Sequence, residues 1–404
     1  MKIKLGSYEE DILRGKKGEA AKLALEIVVK LAEAFGVEEL VEISSVQAMA
    51  HYGSLHDAGL ELMEKLAGLG GKCCVPTTQD PASISFKCWE RLGIPKEYAE
   101  KQMELARAIQ ELGELPTWSC TPYYIGNIPR FGQNIAWAES SAVSFANSVI
   151  GARTNRTPAG LAICAALTAR MPKAGLYLDE NRVATVKLVI DAGNLSDLDY
   201  NTIGIILGKI AGTRISALFG IPSNVTNDNL KYLGASAASS GSVALYHVIG
   251  VTPEAMMKDP FAGKAPEEEI IITRRYILEA EKSLTTSHAG EVDLVVVGCP
   301  HYSINEIVSV TKLFKGKKMK KSKEFWIYTT LEAENLAKRM GLLNILEDAG
   351  VKILAQNCLV ISPLFGGYKT LMTDSGKFAS YLPSEHGIEL IYGSTVDCVK
   401  AVIT

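Results

Sequence analysis

At 404 residues the chain is too long for a single ordinary core, so two or three domains are expected. Hydrophobic residues make up 47% and charged residues 22%, a globular balance, and a net charge of −3 gives no electrostatic footprint for nucleic acid. No apolar run reaches the roughly 18 residues of a membrane span, and the N-terminal MKIKLGSYEEDILRGKKGEA lacks the apolar core of a signal peptide, so a cytoplasmic protein is expected.

Residues 1–65 read as a helical segment packing on the core. Apolar positions at Ile12, Leu13, Ala20, Leu23, Leu25, Ile27 and Val28 recur at helical spacing, with Gly36 as a stop. A short strand, ELVEISS, follows, then a helix over DAGLELMEKLAGL that ends at Gly70-Gly71. Residues 66–285 mix helices, strands and polar turns, as expected of an α/β domain. EYAEKQMELARAIQELG predicts a helix, TWSCTPYYIGNIP an irregular loop carrying Cys120, and the residues near Ser140 a helix start. RVATVKLVIDA and NTIGIILGKIAG predict a strand and a helix, and the small residues of DNLKYLGASAASSGSVALYHVIG predict close packing. Residues 286–404 alternate regularly: strands VDLVVVG, EFWIYTT, VKILAQ, YKTLMT and IELIY, with helices between and a last helix from Ser394. That rhythm predicts parallel βαβ units and a Rossmann-like domain. The basic run KLFKGKKMKKSK falls between a helix and a strand and reads as a solvated loop.

Eight cysteines, at 73, 74, 88, 120, 164, 299, 358 and 398, show no CxxC pair and no zinc spacing. Any shared site must therefore be assembled from distant segments. The valine run of LVVVGCPHYS suits a strand buried on both faces that ends at Gly298, with Cys299 at its carboxyl end. Cys358 follows a strand in the same way, and Cys120 lies in a loop of the kind that lines sites. Three thiolates from separate loops can hold an iron–sulfur cluster and leave one position open. An isolated cysteine is more usually a small core residue. Cys73, Cys88, Cys164 and Cys398 are read that way, while Cys74 precedes a polar loop.

The strings CTPYYIGNIPRFGQNIAWAESSAVSFANSVIGARTNR, GCPHYS, NCLVISP and MTDSGKFASY, with AMAHYGSLHDAGLELMEKLAGLGGKCCVPTTQDP upstream, resemble the large subunit of the aconitase X family over nearly the whole chain. The resemblance implies an α/β fold: the aconitase-superfamily catalytic core of Rossmann-like domains, without the swivelling domain. It implies an iron–sulfur hydro-lyase with Cys120, Cys299 and Cys358 as ligands, expected as a [4Fe–4S] cluster on three cysteines. Bacterial members are longer and act on cis-3-hydroxyproline. Archaeal members place the swivelling domain on a separate small subunit and dehydrate mevalonate 5-phosphate to trans-anhydromevalonate 5-phosphate. A chain that reaches Thr404 soon after its last sheet resembles the archaeal type, with the small subunit as partner in a heterodimer. Dehydration of cis-3-hydroxy-L-proline or another β-hydroxy acid, and a non-catalytic iron–sulfur protein, are the alternatives.

The matched segments supply further candidates. Arg153 and Arg156 offer planar guanidinium forks for a carboxylate or phosphate, with Asn155 in support. Ser375 and Lys377 stand at an expected strand-to-helix turn suited to an anion, with a plain helix cap as the other reading of Ser375. Thr77 and Thr78 offer hydroxyls in an expected loop. Glu139 and Ser140 precede a helix, where capping competes with catalysis. His51 and His301 lie near expected loop edges, His301 two residues from a ligand cysteine. The catalytic base stays open, including a serine on the small subunit.

Overall fold

Apolar runs and amphipathic helices alternate along the chain, and in the computed structural model they condense into two units, Met1–Val183 and Ala184–Thr404. The structure describes residues 3–49, 51–287, 291–363 and 367–403. Segment boundaries read from sequence stand at 65 and 285 instead, because the N-terminal helices share one apolar core with strands and helices well beyond residue 65.

The first unit contains α1 (Ser7–Leu13), α2 (Glu19–Ala34), β1 (Leu40–Glu42), β2 (Val46–Ala48), α3 (Tyr52–Gly68), β3 (Thr77–Gln79), α4 (Lys96–Glu111), β4 (Ala136–Trp137), α5 (Ser140–Phe145), α6 (Ala159–Thr168) and β5 (Arg170–Pro172). The expected first long helix is two, separated by the polar turn RGKKG. Leu25 and Val28 of α2, Met63 and Leu66 of α3 and Ile163 of α6 pack with Val46 of β2 into the core. Burying each such side chain contributes roughly 1.5–3 kcal/mol. β2 is the centre of a three-stranded parallel sheet, flanked by β3 and β4, while β1 pairs antiparallel with β5. Thr77 and Thr78 lie inside buried β3 and not in a loop. The strand pairs Val46 with Thr77 and Gln47 with Thr78, which the polar sequence VPTTQDP conceals.

The second unit holds two parallel sheets. The first comprises β6 (Val186–Asp191), α7 (Asp197–Ala211), β7 (Ser216–Phe219), α8 (Asn227–Gly241), β8 (Tyr246–Val248), α9 (Pro253–Met257), β9 (Glu268–Thr273) and α10 (Arg274–Leu284), with strand order β8-β7-β6-β9. Its helices α7 and α8 touch through glycines. A methyl on Gly241 would stand 1.9 Å from the Gly208 carbonyl oxygen, so only glycine permits this approach.

The second sheet is built from β10 (Leu294–Tyr302), α11 (Ile304–Phe314), β11 (Glu324–Thr329), α12 (Leu331–Arg339), α13 (Leu342–Ala349), β12 (Lys352–Ala355), β13 (Thr370–Thr373), α14 (Gly376–His386), β14 (Glu389–Tyr392) and α15 (Thr395–Val402). Its order is β12-β11-β10-β13-β14. From β10 the chain moves to β11 and β12; from β13 it moves the other way, to β14. Strand order therefore reverses between β10 and β13, the topological switch point at which open parallel sheets bind ligands.

β10 does not stop at Gly298 as the sequence suggested. It pairs regularly with β11 through Val297, loses register, and pairs again at Tyr302. The Cys299–Pro300 peptide is cis. Gly298 has φ +94°, and a Cβ there would lie 2.1 Å from the Tyr328 carbonyl oxygen, so no other residue fits this bend.

Candidate functional site

Parallel pairing sends the carboxyl ends of β10 and β12 to one edge of the second unit's larger sheet; Cys299 lies in the last part of β10, past its bend at Gly298, and Cys358 follows β12. Cys299 is buried and Cys358 half-buried, and neither is in a disulfide. A hydrogen bond ties their turns together: His301 Nε2 lies 3.0 Å from the carbonyl oxygen of Asn357, the residue before Cys358. Ser375, at the end of β13, donates from its hydroxyl to the Cys299 carbonyl at 2.5 Å. The Ser375 hydroxyl oxygen also accepts from the Phe378 amide and caps α14. Ser375 is thus a helix cap and a brace for the cysteine turn together. Lys377 sits half-buried in the first turn of α14.

The Asn357 side chain is fully buried, and neither its amide nitrogen nor its oxygen has a hydrogen-bond partner among the described residues. An unsatisfied buried amide costs about 1–3 kcal/mol, and such groups in native structures point to an unseen partner. Next to Cys358, that pattern suits a sulfur-rich inorganic group whose sulfurs accept N–H donors.

In the first unit the sheet β3-β2-β4 exposes its own carboxyl edge. His51 follows β2 and caps α3, Asp80 follows β3, and Glu139 and Ser140 follow β4. The loop carrying Cys120 is pinned to this edge, since Ser119 donates its amide to Gln79 O at 2.9 Å and accepts from Gln47 Nε2 at 3.0 Å. His51 is 3% exposed and its Nε2 lies 3.6 Å from Asp80 Oδ2. His51 Nδ1, Gln47 Oε1 and both polar atoms of the Gln79 side chain are buried without a hydrogen-bond partner among the described residues. His51 was expected from the sequence, but Gln47, Gln79 and Asp80 were not: the polar run TTQDP reads as turn chemistry, and Gln79 and Asp80 are hidden in it.

The other expected residues have structural partners. Glu139 caps α5, accepting from the Ala142 amide at 2.7 Å and the Ser141 hydroxyl at 2.5 Å. Ser140 donates to Glu139 at 3.4 Å. Thr77 and Thr78 donate to carbonyls of Val75 and Val46. Arg153 is bound by the Tyr177 carbonyl at 2.9 Å and Asp179 at 2.5 Å, and Asn155 bridges Ala174 O and the Leu176 amide. Both hold the turn at 174–179. Arg156 is exposed. Glu114, behind β3, has its carboxyl pushed well above the ordinary value by complete burial, and the neighbouring Gln79 amide, short of hydrogen-bond geometry, offsets only part of this.

No group of three or more His, Cys, Asp or Glu side chains among the described residues is arranged to hold a metal ion, and no described helix is long and apolar enough to cross a membrane.

Comparison with known proteins follows this layout. Models of the aconitase X first, second and third domains match residues 2–180, 184–282 and 292–404. The chain is 38% identical to the phosphomevalonate dehydratase large subunit of Methanothermobacter thermautotrophicus, over 99% of this chain and 98% of that protein. It is 40% identical to the protein of the same name from Methanosarcina mazei, over 98% and 96%. To the cis-3-hydroxy-L-proline dehydratase of Pseudomonas aeruginosa it is 35% identical, over 99% of this chain and 70% of that protein. The crystal structure of Thermococcus kodakaraensis aconitase X (holo-form) superposes with a TM-score of 0.90 at 35% identity, covering 99% of this chain and all of that one.

Proposed function

The chain belongs to the aconitase X family, and from that premise we propose that it is the large subunit of an iron–sulfur hydro-lyase that dehydrates (R)-mevalonate 5-phosphate to trans-anhydromevalonate 5-phosphate. The observation that carries this reading is the 38–40% identity to archaeal phosphomevalonate dehydratase large subunits over almost their full length. Those relatives are named large subunits, so a small subunit is the partner; the swivelling domain is its expected content. The hydroxyproline dehydratases, at 35% identity or below, supply the second reading of the substrate.

The family implies an iron–sulfur cluster, and the residues present suit one. Cys358 adjoins the unsatisfied Asn357 amide, His301 ties that turn to the Cys299 turn, and Cys120 is buried on a loop braced by Gln47 and Gln79. We assign these three thiolates as its ligands and expect [4Fe–4S]. When bound, such a cluster supplies a Lewis-acidic iron for the substrate's hydroxyl and carboxylate.

The reaction breaks a C–H bond beside a carboxylate and a C–O bond at the next carbon, so one proton must be taken and the hydroxyl must leave as water. Asp80 faces His51 Nε2 and favours the proton on that nitrogen, which leaves Nδ1 as the atom able to hold another. Asp80 thus acts as a positioning residue for His51. Arg156 and Lys377 are the cations assigned to phosphate and carboxylate, while Arg153 and Asn155 act by holding the turn at 174–179. Thr77 and Thr78 shape the floor of the edge from within β3. His301 and Ser375 fix the cysteine turns. Ser140 and Glu139 remain assigned to the reacting face.

The test is to load the full chain with iron and sulfide anaerobically, add a small subunit, and follow (R)-mevalonate 5-phosphate by mass spectrometry. Loss of one water with formation of the trans-anhydro product is expected, with cis-3-hydroxy-L-proline left unchanged. Turnover of hydroxyproline and not of the phosphate would overturn the substrate assignment.

A further inference from the structure

The segment PEEEIIITRRY, residues 266–276, sets three glutamates, three isoleucines and two arginines in that order. Consecutive β-branched residues favour a strand, and β9 forms there, from Glu268 to Thr273. It is the last strand of the sheet β8-β7-β6-β9 and pairs with β6 on one side. Among the described residues no strand covers its other side.

Side chains on β9 alternate between the two sheet faces. Ile270 and Ile272 lie beside Leu188 and Ile190 of β6 on the buried face, while Glu269, Ile271 and Thr273 stand on the other. Ile271 is 56% exposed, next to half-buried Val189. The backbone alternates as well. The Glu267 amide donates to Thr185 O just before β6, so the odd-numbered residues turn their amides and carbonyls toward β6. Ile270 and Ile272 turn theirs outward. An apolar strand of six residues, with an open edge and no lysine, proline or bulge along it, is a template for another strand.

The order of charges selects that strand. Laid antiparallel to a second copy about a two-fold axis at Ile271, the segment sets Ile271 opposite Ile271, Ile270 opposite Ile272, Glu268 opposite Arg274 and Glu267 opposite Arg275. Every side chain then keeps its face. The outward groups of Ile270 and Ile272 exchange hydrogen bonds, and Ile271 forms the non-hydrogen-bonded pair between them. Moving the axis to Ile270 would set Ile271 against Glu269, and moving it to Ile272 would set Ile270 against Arg274. Parallel pairing in register would set glutamate against glutamate. Within the chain Glu268 meets Arg214 and Arg274 meets Asp199. Glu267 is exposed and Arg275 lies at the surface beside Glu279, so this outer pair is the one open to the second copy.

We propose that β9 pairs antiparallel with β9 of a second copy of this chain, joining the two four-stranded sheets across a two-fold axis. The surface stands apart from the dehydratase reading and uses none of the residues assigned to the substrate.

Sedimentation of the full chain, alone and with its small subunit, tests this beside Ile271→Lys, Arg275→Glu and the paired reversal Glu267→Arg with Arg275→Glu. All three positions are exposed, so the changes leave the core intact, and circular dichroism verifies folding. A concentration-dependent dimer of the chain is expected in both mixtures. Ile271→Lys and Arg275→Glu should each raise its Kd at least about tenfold. The paired reversal should recover what Arg275→Glu loses, which a general loss of stability would not do. A folded parent that stays monomeric with respect to itself overturns the proposal. So does a dimer that all the variants leave intact, or a paired reversal that recovers nothing. Release of the small subunit by Ile271→Lys, with self-association unchanged, overturns it as well and assigns the edge to that subunit.

Discussion

The small sheet of the first unit and the larger sheet of the second both present candidate residues on the carboxyl edge of parallel strands, yet they reach that edge differently. β10 carries Val295, Val296 and Val297 into a wholly apolar core before the chain turns at Gly298. β2 and β3 are three residues each, and their buried positions include Gln47, Thr77, Thr78 and Gln79. In the second unit the regularly paired part of the strand is hydrophobic scaffold, and the cysteine stands past its bend at Gly298. In the first the polar groups are part of the strands, so stability and function draw on the same buried atoms.

That contrast is tested most severely by Asp80→Asn. The amide keeps the volume and removes the charge beside His51 Nε2, so kcat is expected to fall about 10²–10⁴-fold with KM little changed. A merely structural Asp80 would lower stability and leave the kcat of the folded fraction near the parent value. Asn357→Ala probes the other edge. Losing an outer partner of a metal ligand typically costs about 10–100-fold in metal affinity or activity, and iron retained per chain on dialysis is the direct readout. Ser375→Ala removes a cap and the brace on Cys299 together. It should lower stability by about 1 kcal/mol, read from denaturant midpoints, with an accompanying change in the cluster spectrum.

The smallest expected effect concerns Glu114. Its folded pKa lies above the unfolded value near 4.5, so above that pH the folded state holds a proton that the unfolded state has released. Its contribution to stability is full at lower pH and declines as pH rises from 4.5 toward the raised folded pKa. Glu114→Gln should flatten that decline, measured as Tm at pH 5 and pH 8. An unchanged slope would remove Glu114 from the polar cost of the first unit.

The same contrast explains what could be read in advance. The regular alternation after residue 290 predicted the strands of the larger sheet; Cys358 follows β12 as expected, while Cys299 falls inside β10, past its bend at Gly298. Expected α/β architecture agrees with the T. kodakaraensis structure at a TM-score of 0.90. The first unit was less legible because strands of two or three residues have too few positions to show a period. Thr77 and Thr78 therefore passed for a loop, and Gln79 and Asp80 passed unnoticed. Helix α13 was also missed: it starts directly after the Gly341 turn that ends α12, where the sequence reading stops the helix. Asn357 lies in the string NCLVISP, but nothing in that string singles it out. Only its burial without a side-chain partner among the described residues marks it.

The central claim is that the cysteine turns of the larger sheet hold an iron–sulfur cluster. The direct measurement is iron and sulfide content with EPR of the anaerobically loaded full chain, comparing the parent with Cys299→Ala and with Cys88→Ala, whose thiol instead meets the Ser85 hydroxyl at 3.2 Å. The account predicts a cluster signal in the parent and Cys88→Ala that is lost in Cys299→Ala. Equal loading of all three proteins, or no cluster in the parent when a control protein loads, would contradict it.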